Sequence, residues 1–397
     1  MRTVFLAMAA VCLLAPPLLA QGKFPLKYQD ADDQDLPAMQ MAMRFSQAVP
    51  DKPGDLKGVP EGWKDGVAYA SLELAGKPVW MALMGGDSPQ LLADTNGNGD
   101  LADEKAVAGT AQGPRIAFGI VEFTAEGKAP VRVRVEAQSP DAKAPPQFVL
   151  VRPAGLRTGE VKLGDRTCTL VVVDGNLDGR YGGDVSPVLG GGNADALGID
   201  LNGDGRFDPP TLEADPWEVT PLAKGLRAGD KYYRLDVAAD GSQVELAEIK
   251  PECGTLDLGA KDAQLVAMSD FGIQRIKTTD GKVSLPAGKY TAFALLLAGT
   301  DGAGAKWTLQ GQPPQELQQF EVQPGKTLQA QVGPPLVLKT TAAQEEQAIS
   351  ISLALVGKGG ETYSPGALKD NKRPPPPKFE ILDEAGKVLQ TGNFEYG

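Results

Sequence analysis

Short strand-like segments, each closed by glycine, proline, aspartate or asparagine, dominate the sequence. Residues 69–74 and 77–83, joined by Ala75-Gly76, have the pattern of a β-hairpin. Segments of the same type follow at 116–123, 131–135, 147–151, 167–173, 232–237 and 243–249. They are rich in Val, Ile, Leu and Thr, which favour strands, and no long stretch has helical periodicity. The sequence therefore predicts a mainly β protein, and its 397 residues suffice for two or three domains with cores of their own.

Part of this pattern occurs twice. Residues 66–136 run through a hairpin, an apolar segment, a loop rich in Asp, Asn and Gly, and a second hairpin, and residues 157–250 repeat that order with one additional loop. A duplicated β unit is therefore expected. The predicted divisions are a signal peptide at 1–20, an irregular segment at 21–60, β units at 61–145 and 146–252, a β-sandwich-like module at 253–335 and a C-terminal β module at 336–397.

A turn in the third of these modules carries a family resemblance. Leu285-Pro286-Ala287-Gly288-Lys289-Tyr290 leads into the apolar segment 291–297. This turn resembles one found in transthyretin-like and carboxypeptidase-regulatory-like β-sandwiches. The resemblance covers about 70 residues and implies sandwich modules at the C-terminus, which would serve as spacers or ligand platforms.

The N-terminus has the pattern of an export signal. Arg2 precedes an apolar run at 4–15 that is too short to span a bilayer, and the small residue Ala20 closes the segment. The alternative, a buried N-terminal helix, is disfavoured because Pro16-Pro17 would break it. We expect cleavage near Ala20, no membrane span, and a secreted, periplasmic or cell-surface location.

Two cysteines, Cys168 and Cys253, remain after the signal peptide. In an oxidising compartment an even pair is a disulfide candidate, but a buried free thiol is equally natural for such a small residue. The sequence leaves both states open.

Charge and composition exclude several classes of function. The formal net charge is -12, which argues against a nucleic-acid partner because such binding needs a basic surface. The chain contains no histidine, and this removes Ser-His-Asp and Cys-His catalysis and histidine-ligated zinc sites.

Three acidic loops share the spacing Asp-x-Asn-x-[Asp/Asn]-Gly. We call residues 94–100 the first loop, 174–180 the second and 200–206 the third. This spacing resembles the calcium loops of EF-hands, dockerins and thrombospondin-type repeats, and the resemblance is confined to the loops. The candidate metal ligands are Asp94, Asn96, Asn98, Asp100 and Glu104 for the first loop, Asp174, Asn176, Asp178, Arg180 and Asp184 for the second, and Asp200, Asn202, Asp204, Arg206, Asp208 and Glu213 for the third.

Calcium explains why these residue types recur at this spacing. Ca²⁺ takes six to eight oxygen ligands, and side chains at positions one, three and five of a tight loop can converge on one point. Glycine at position six allows the turn, and position seven supplies a main-chain carbonyl, so an arginine is acceptable there. Position twelve holds Lys105, Val185 or Thr211 instead of the usual glutamate. Static structural sites are therefore expected, rather than sensors that open.

The sequence thus favours a secreted, non-enzymatic calcium-binding β protein that acts as an extracellular binding or structural module, with a glycan or a protein as a candidate partner. Three alternatives remain open at this point. The loops could be simple turns, since Asn-Gly and Asp-Gly favour hairpins. The chain could be a glycoside hydrolase, which needs only two carboxylates and no histidine. It could also be a module in which Ca²⁺ bridges protein and carbohydrate.

Overall fold

A computed structural model describes residues 21–31, 42–63, 66–74, 77–124, 130–140, 144–182, 194–208, 211–212, 217–345, 348–363 and 367–395. The predicted signal peptide and the candidate ligands Asp184 and Glu213 lie outside these residues. The fold is mainly β and comprises several open sheets, as the sequence predicts. None of the helices in these ranges has the length and hydrophobicity needed to cross a bilayer.

The N-terminal segment contains three strands: β1 (Gln21–Pro25), β2 (Lys27–Asp30) and β3 (Arg44–Gln47). This corrects the expectation of an irregular segment at 21–60. Each strand pairs antiparallel with residues far along the chain, namely 243–247, 155–158 and 148–151. The backbone partners of these strands are therefore distant in sequence, and local composition does not reveal them.

The first sandwich packs two sheets around one apolar core. Its strands are β3 together with β4 (Val67–Leu74), β5 (Lys77–Met84), β6 (Gln90–Ala93), β7 (Val107–Ala108), β8 (Thr110–Gln112), β9 (Arg115–Phe123), β10 (Val131–Gln138) and β11 (Phe148–Pro153). The sheet orders are β4-β5-β6-β7 and β3-β11-β10-β9-β8. Met81 and Leu83 from one sheet meet Phe118 and Val133 from the other, all fully buried. Because β11 belongs to this sandwich, the boundary lies beyond the predicted residue 145.

The second sandwich is built in the same way. It adds β12 (Gly155–Leu163), β13 (Arg166–Val173), β14 (Ala196–Ile199), β15 (Val219–Pro221), β16 (Gly225–Ala228), β17 (Lys231–Val237) and β18 (Gln243–Ile249). The sheet orders are β15-β14-β13-β12-β2 and β1-β18-β17-β16. Leu170 and Leu197 from the first sheet share a core with Tyr233 and Leu246 from the second.

The strand order shows the duplication. The succession β4-β5-β6-β7 of the first sandwich corresponds to β12-β13-β14-β15 of the second, and the hairpin β9-β10 corresponds to β17-β18. In each case one more strand, β11 or β1, pairs with the free side of that hairpin. The two units therefore repeat one topology, although the N-terminal strands β1 and β2 complete the second unit.

The third sandwich follows residue 250. Its elements are β19 (Cys253–Asp257), β20 (Ala263–Ser269), β21 (Gly272–Lys277), β22 (Lys282–Pro286), β23 (Gly288–Thr300), β24 (Lys306–Gln312), a helical turn α1 (Gln315–Gln318), β25 (Gln319–Val322), β26 (Thr327–Gln329), β27 (Val337–Glu345), β28 (Ala348–Val356), β29 (Thr362–Tyr363) and β30 (Leu368–Lys369). A sheet ordered β22-β19-β26 packs on the larger sheet β21-β20-β23-β24-β29-β28-β27. Because that sheet crosses residue 336, no separate module begins there. A final hairpin, β31 (Lys378–Leu382) and β32 (Val388–Asn393), forms a sheet of its own.

Cys168 and Cys253 are not bonded to each other. Cys168 is buried in the core of the second sandwich, whereas Cys253 is exposed at the start of β19. Burial raises the pKa of the Cys168 thiol, so its reactive thiolate form is disfavoured in the folded protein.

This difference predicts selective labelling. In residues 21–397, a maleimide reagent should modify only Cys253 in the native protein and both Cys168 and Cys253 in urea, because Cys168 becomes accessible only on unfolding. Mass spectrometry of the labelled peptides measures this, with the Cys253→Ser variant as control. Labelling of neither cysteine in the oxidised native protein, restored by a reductant, would instead indicate a disulfide.

Candidate metal-binding loops

All three loops begin directly after a core strand. The first loop follows β6, the second follows β13 and the third follows β14. Since β6 and β14 are equivalent strands, the first and third loops occupy the same place in the two sandwiches, and the second is the additional one. The second and third loops lie at opposite ends of β14, on the order of 15 Å apart at the usual rise of a strand. They therefore cannot share an ion.

The aspartate at position one is the buried anchor of each loop. Asp94, Asp174 and Asp200 expose only 1%, 8% and 7% of their surface. Their carboxylate oxygens accept main-chain amides from the loop that follows. The bonds are Asn98 N and Gly99 N to Asp94 (both 3.0 Å), Asp178 N and Gly179 N to Asp174 (3.2 and 3.0 Å), and Gly203 N and Gly205 N to Asp200 (2.6 and 3.0 Å). Each loop is thus wrapped around its first carboxylate.

The side chains at positions three and five also turn back onto their own loop. Asn96, Asn176 and Asn202 accept the amide two residues ahead at 2.8–3.0 Å. Asn98, Asp178 and Asp204 do the same at 2.7–2.9 Å, and the donors for the last two are the amides of Arg180 and Arg206. The side-chain oxygens of positions one, three and five are therefore directed at main-chain amides of their own loop, and the residues at positions three and five are exposed in the first and third loops and half-buried in the second.

Glycine is required at position six of every loop. Gly99, Gly179 and Gly205 have φ values of 73°, 74° and 79°, a conformation that side chains disfavour. Position four of the second loop takes the same conformation with Leu177, whose φ is 55°. Leu177 is 1% exposed and packs in the core of the first sandwich. Its burial offsets the backbone strain, and it joins the second loop to the neighbouring unit.

The trailing acidic residues of the first loop contact it as well. Glu104 accepts the amide and hydroxyl of Thr95 at 2.6 and 2.7 Å. Asp100 instead accepts the amide of Ala102 and caps the short 3-10 helix Leu101–Asp103. The ammonium of Lys57 donates to the main-chain carbonyl of Asn98 at 2.6 Å. In the third loop, Asp208 accepts the side-chain amide of Asn202 at 3.3 Å.

Two buried carboxylates beside the loops were not predicted from the sequence. Glu218 accepts the amides of Leu201, Asn202 and Asp208, each at 2.9 Å, and it is 3% exposed. It contacts the third loop much as Glu104 contacts the first. Asp195 accepts the amides of Gly175 and Gly182 at 3.0 and 2.7 Å and closes the second loop. No local spacing marks either residue, because each reaches its loop across the sheet.

The second loop holds two carboxylates whose ionised forms are disfavoured. Burial raises the pKa of Asp174 to about 7, against the opposing effect of its amide donors. Burial, and then the charge of Asp174, raise the pKa of Asp195 to about 7. A cation close to both carboxylates would relieve the repulsion and lower both pKa values.

The donors of the three loops are of mixed type. In the part of the chain that the structure describes, no three Cys, Asp or Glu side chains are grouped as a ready-made metal site. The loops instead offer carboxylate, side-chain amide and main-chain oxygens, the set that hard cations such as Ca²⁺ accept. Comparison with protein-family models, with curated proteins and with solved structures finds no match. The loops must therefore be interpreted from their own chemistry.

Glu218→Gln tests the anchoring of the third loop. Glutamine keeps one acceptor oxygen but turns an NH₂ group toward a buried amide, so we expect a loss of about 1–3 kcal/mol in the free energy of unfolding. Urea denaturation measures it. Glu160→Gln, an exposed position on β12, is the matched control and should change little. Equal effects of the two substitutions would show that Glu218 does not anchor the loop.

The raised pKa values predict how stability depends on pH without divalent cations. Between the ordinary carboxyl value of 3.8 and about 7, the folded protein holds protons that the unfolded chain has released. The contribution of Asp174 and Asp195 to the free energy of unfolding should therefore fall as pH rises from 3.8 to about 7. Melting temperatures measured in chelator across that pH range give the slope of stability against pH.

The variant Asp195→Asn should flatten the dependence of stability on pH, because it removes one of the two titrating groups. Asp165→Asn, in an exposed turn, is the matched control. If the slope of melting temperature against pH is the same in Asp195→Asn and Asp165→Asn, the pH dependence does not come from Asp195.

Proposed function

We propose that this chain is an exported calcium-binding β protein in which the three acidic loops bind Ca²⁺ as structural ions. The observation that carries the proposal is the repeated arrangement of the loops. In each one a buried aspartate follows a core strand, and the oxygens of positions one, three and five accept main-chain amides of one tight turn. One such turn is commonplace, but three with the same side-chain pattern favour a shared ligand.

Each loop offers a comparable donor set to the ion. The three loops share four ligand positions: the side chains at positions one, three and five and the main-chain carbonyl of position seven. A trailing acidic residue completes the coordination shell. The candidates for that last role are Glu104 in the first loop, Asp184 in the second, and Asp208 or Glu213 in the third. Affinities of about 10⁻⁴–10⁻³ M are typical of extracellular modules of this kind.

The second loop gives the ion a role in the architecture. It leaves the second sandwich at the end of β13, and Leu177 inserts into the core of the first sandwich. Arg44 on β3 donates to the main-chain carbonyl of Asn176 at 2.7 Å, which adds a second link between the units. An ion in this loop would also neutralise the Asp174–Asp195 pair. Calcium would therefore stabilise the junction of the two sandwiches as well as the loop.

The biological role that fits these properties is non-enzymatic. The N-terminal segment predicts export, the loops would fix strand ends in a calcium-rich environment, and the third sandwich would act as a spacer or as a platform for an extracellular glycan or protein. This last step rests on analogy between β modules. Saturable glycan binding that is lost in chelator would assign the chain to calcium-dependent carbohydrate binding, and turnover of a glycan would assign it to the glycoside hydrolases.

Calcium titration of residues 21–397 after chelation tests the proposal. Calorimetry should count three ions, and the melting temperature should rise with calcium. Each site contributes about 2.7 kcal/mol when the ion is at a hundred times its Kd. The variants Asp94→Asn, Asp174→Asn and Asp200→Asn should each lose one ion, because each removes the buried anionic ligand of one loop.

The exposed change Asp165→Asn serves as the control and should retain all three ions. If millimolar calcium leaves melting and calorimetry of the unmodified protein unchanged, the loops are turns without an ion and the proposal fails.

A further inference from the structure

The hairpin β27–β28 extends from the third sandwich as a two-stranded arm. Its strands pair with each other from Val337↔Val356 to Glu345↔Ala348, and only Leu355 and Val356 also pair with β29. Leu338 and Ile349 are 64% and 66% exposed. A two-stranded ribbon by itself is marginally stable in water, and three or more strands are needed for independent stability. Among the described residues of a single copy, the outer part of the arm has no third strand to stabilise it.

The outer side of β27 is an open sheet edge. β27 stands last in the strand order of its sheet, and no strand in the described ranges pairs with its other side. Natural edge strands are usually short or protected by proline, bulges or charges. β27 has nine residues without proline, and the central positions 340–344 hold only Thr, Ala and Gln. This edge is able to accept another strand.

The charges of β27 indicate which strand it accepts. Lys339 and Glu345 stand at equal distances on either side of Ala342. Their backbone partners in β28 are Ala354 and Ala348, both of which are uncharged. If two copies of β27 pair antiparallel about Ala342, Lys339 of each copy stands opposite Glu345 of the other. The strand is therefore complementary to itself in this register.

We propose that β27 pairs with β27 of a second copy of this chain, in antiparallel register centred on Ala342. The two arms then form a four-stranded sheet, β28-β27-β27-β28, across a two-fold axis. Apart from Val337 and Val356 at the base, the register of the arm places its large aliphatic side chains on one face, and pairing brings the two such faces together on the same side of the new sheet. The shared side chains are Leu338, Ala342, Ile349, Ile351, Leu353 and Leu355.

Charge reversal tests the register. Sedimentation equilibrium of residues 21–397 should show a dimer. Lys339→Glu and Glu345→Lys should each weaken it roughly tenfold, because each converts two attractive cross-strand pairs into repulsive ones. The double variant Lys339→Glu/Glu345→Lys should restore the affinity of the dimer, because opposite charges again face each other across the two strands. Lys162→Glu, an equal change of charge at an exposed position on β12, should leave it unaltered.

A monomer at every concentration, or a double variant no tighter than the single ones, would overturn the proposal. Ala342→Lys provides a second substitution, since it sets two ammonium groups against each other at the axis and should weaken the dimer further. Hydrogen exchange of the unmodified protein tests the mode of pairing without any variant. Amides on the outer side of β27 should gain protection as concentration rises, and a dimer that leaves them unprotected would contradict edge pairing.

Discussion

The burial of one carboxylate at the end of a core strand determines the conformation of each acidic loop. Asp94, Asp174 and Asp200 continue apolar strands into sites that are almost closed to solvent, where an ionised group is costly unless it is compensated. The compensation comes from the chain itself, since the next residues curl round the carboxylate and present their amides to it. That curl requires left-handed backbone at position six, and the side chains of positions three and five accept further main-chain amides of the loop.

In the second loop this compensation is incomplete, and this has a consequence for the whole molecule. Burial raises the pKa of Asp174 to about 7, and burial, followed by the charge of Asp174, raises the pKa of Asp195 to about 7. The same loop carries Leu177 into the core of the first sandwich. A group that is electrostatically unfavourable thus lies at the junction of two sandwiches. A divalent ion bound there, as proposed, would act on the stability of both units.

Much of the fold could be predicted from the sequence because it depends on local patterns. The hairpin β4–β5, the order of strands in the duplicated units and the three loops each leave a signature of composition or spacing within a few residues. Features that depend on distant partners could not be predicted. Strands β1–β3 become regular only by pairing with residues far along the chain, and Glu218 and Asp195 reach their loops across a sheet. For the same reason the predicted boundary at residue 145 falls before β11, whose pairing with β10 places it in the first sandwich.

The central claim, that oxygen atoms of these loops surround a divalent ion, is tested most directly by crystals grown with calcium. Anomalous difference density should show an ion inside each of the three loops, ligated by the carboxylates of Asp94, Asp174 and Asp200. Loops that keep the amide contacts of these aspartates and contain no anomalous peak at saturating calcium would contradict the account.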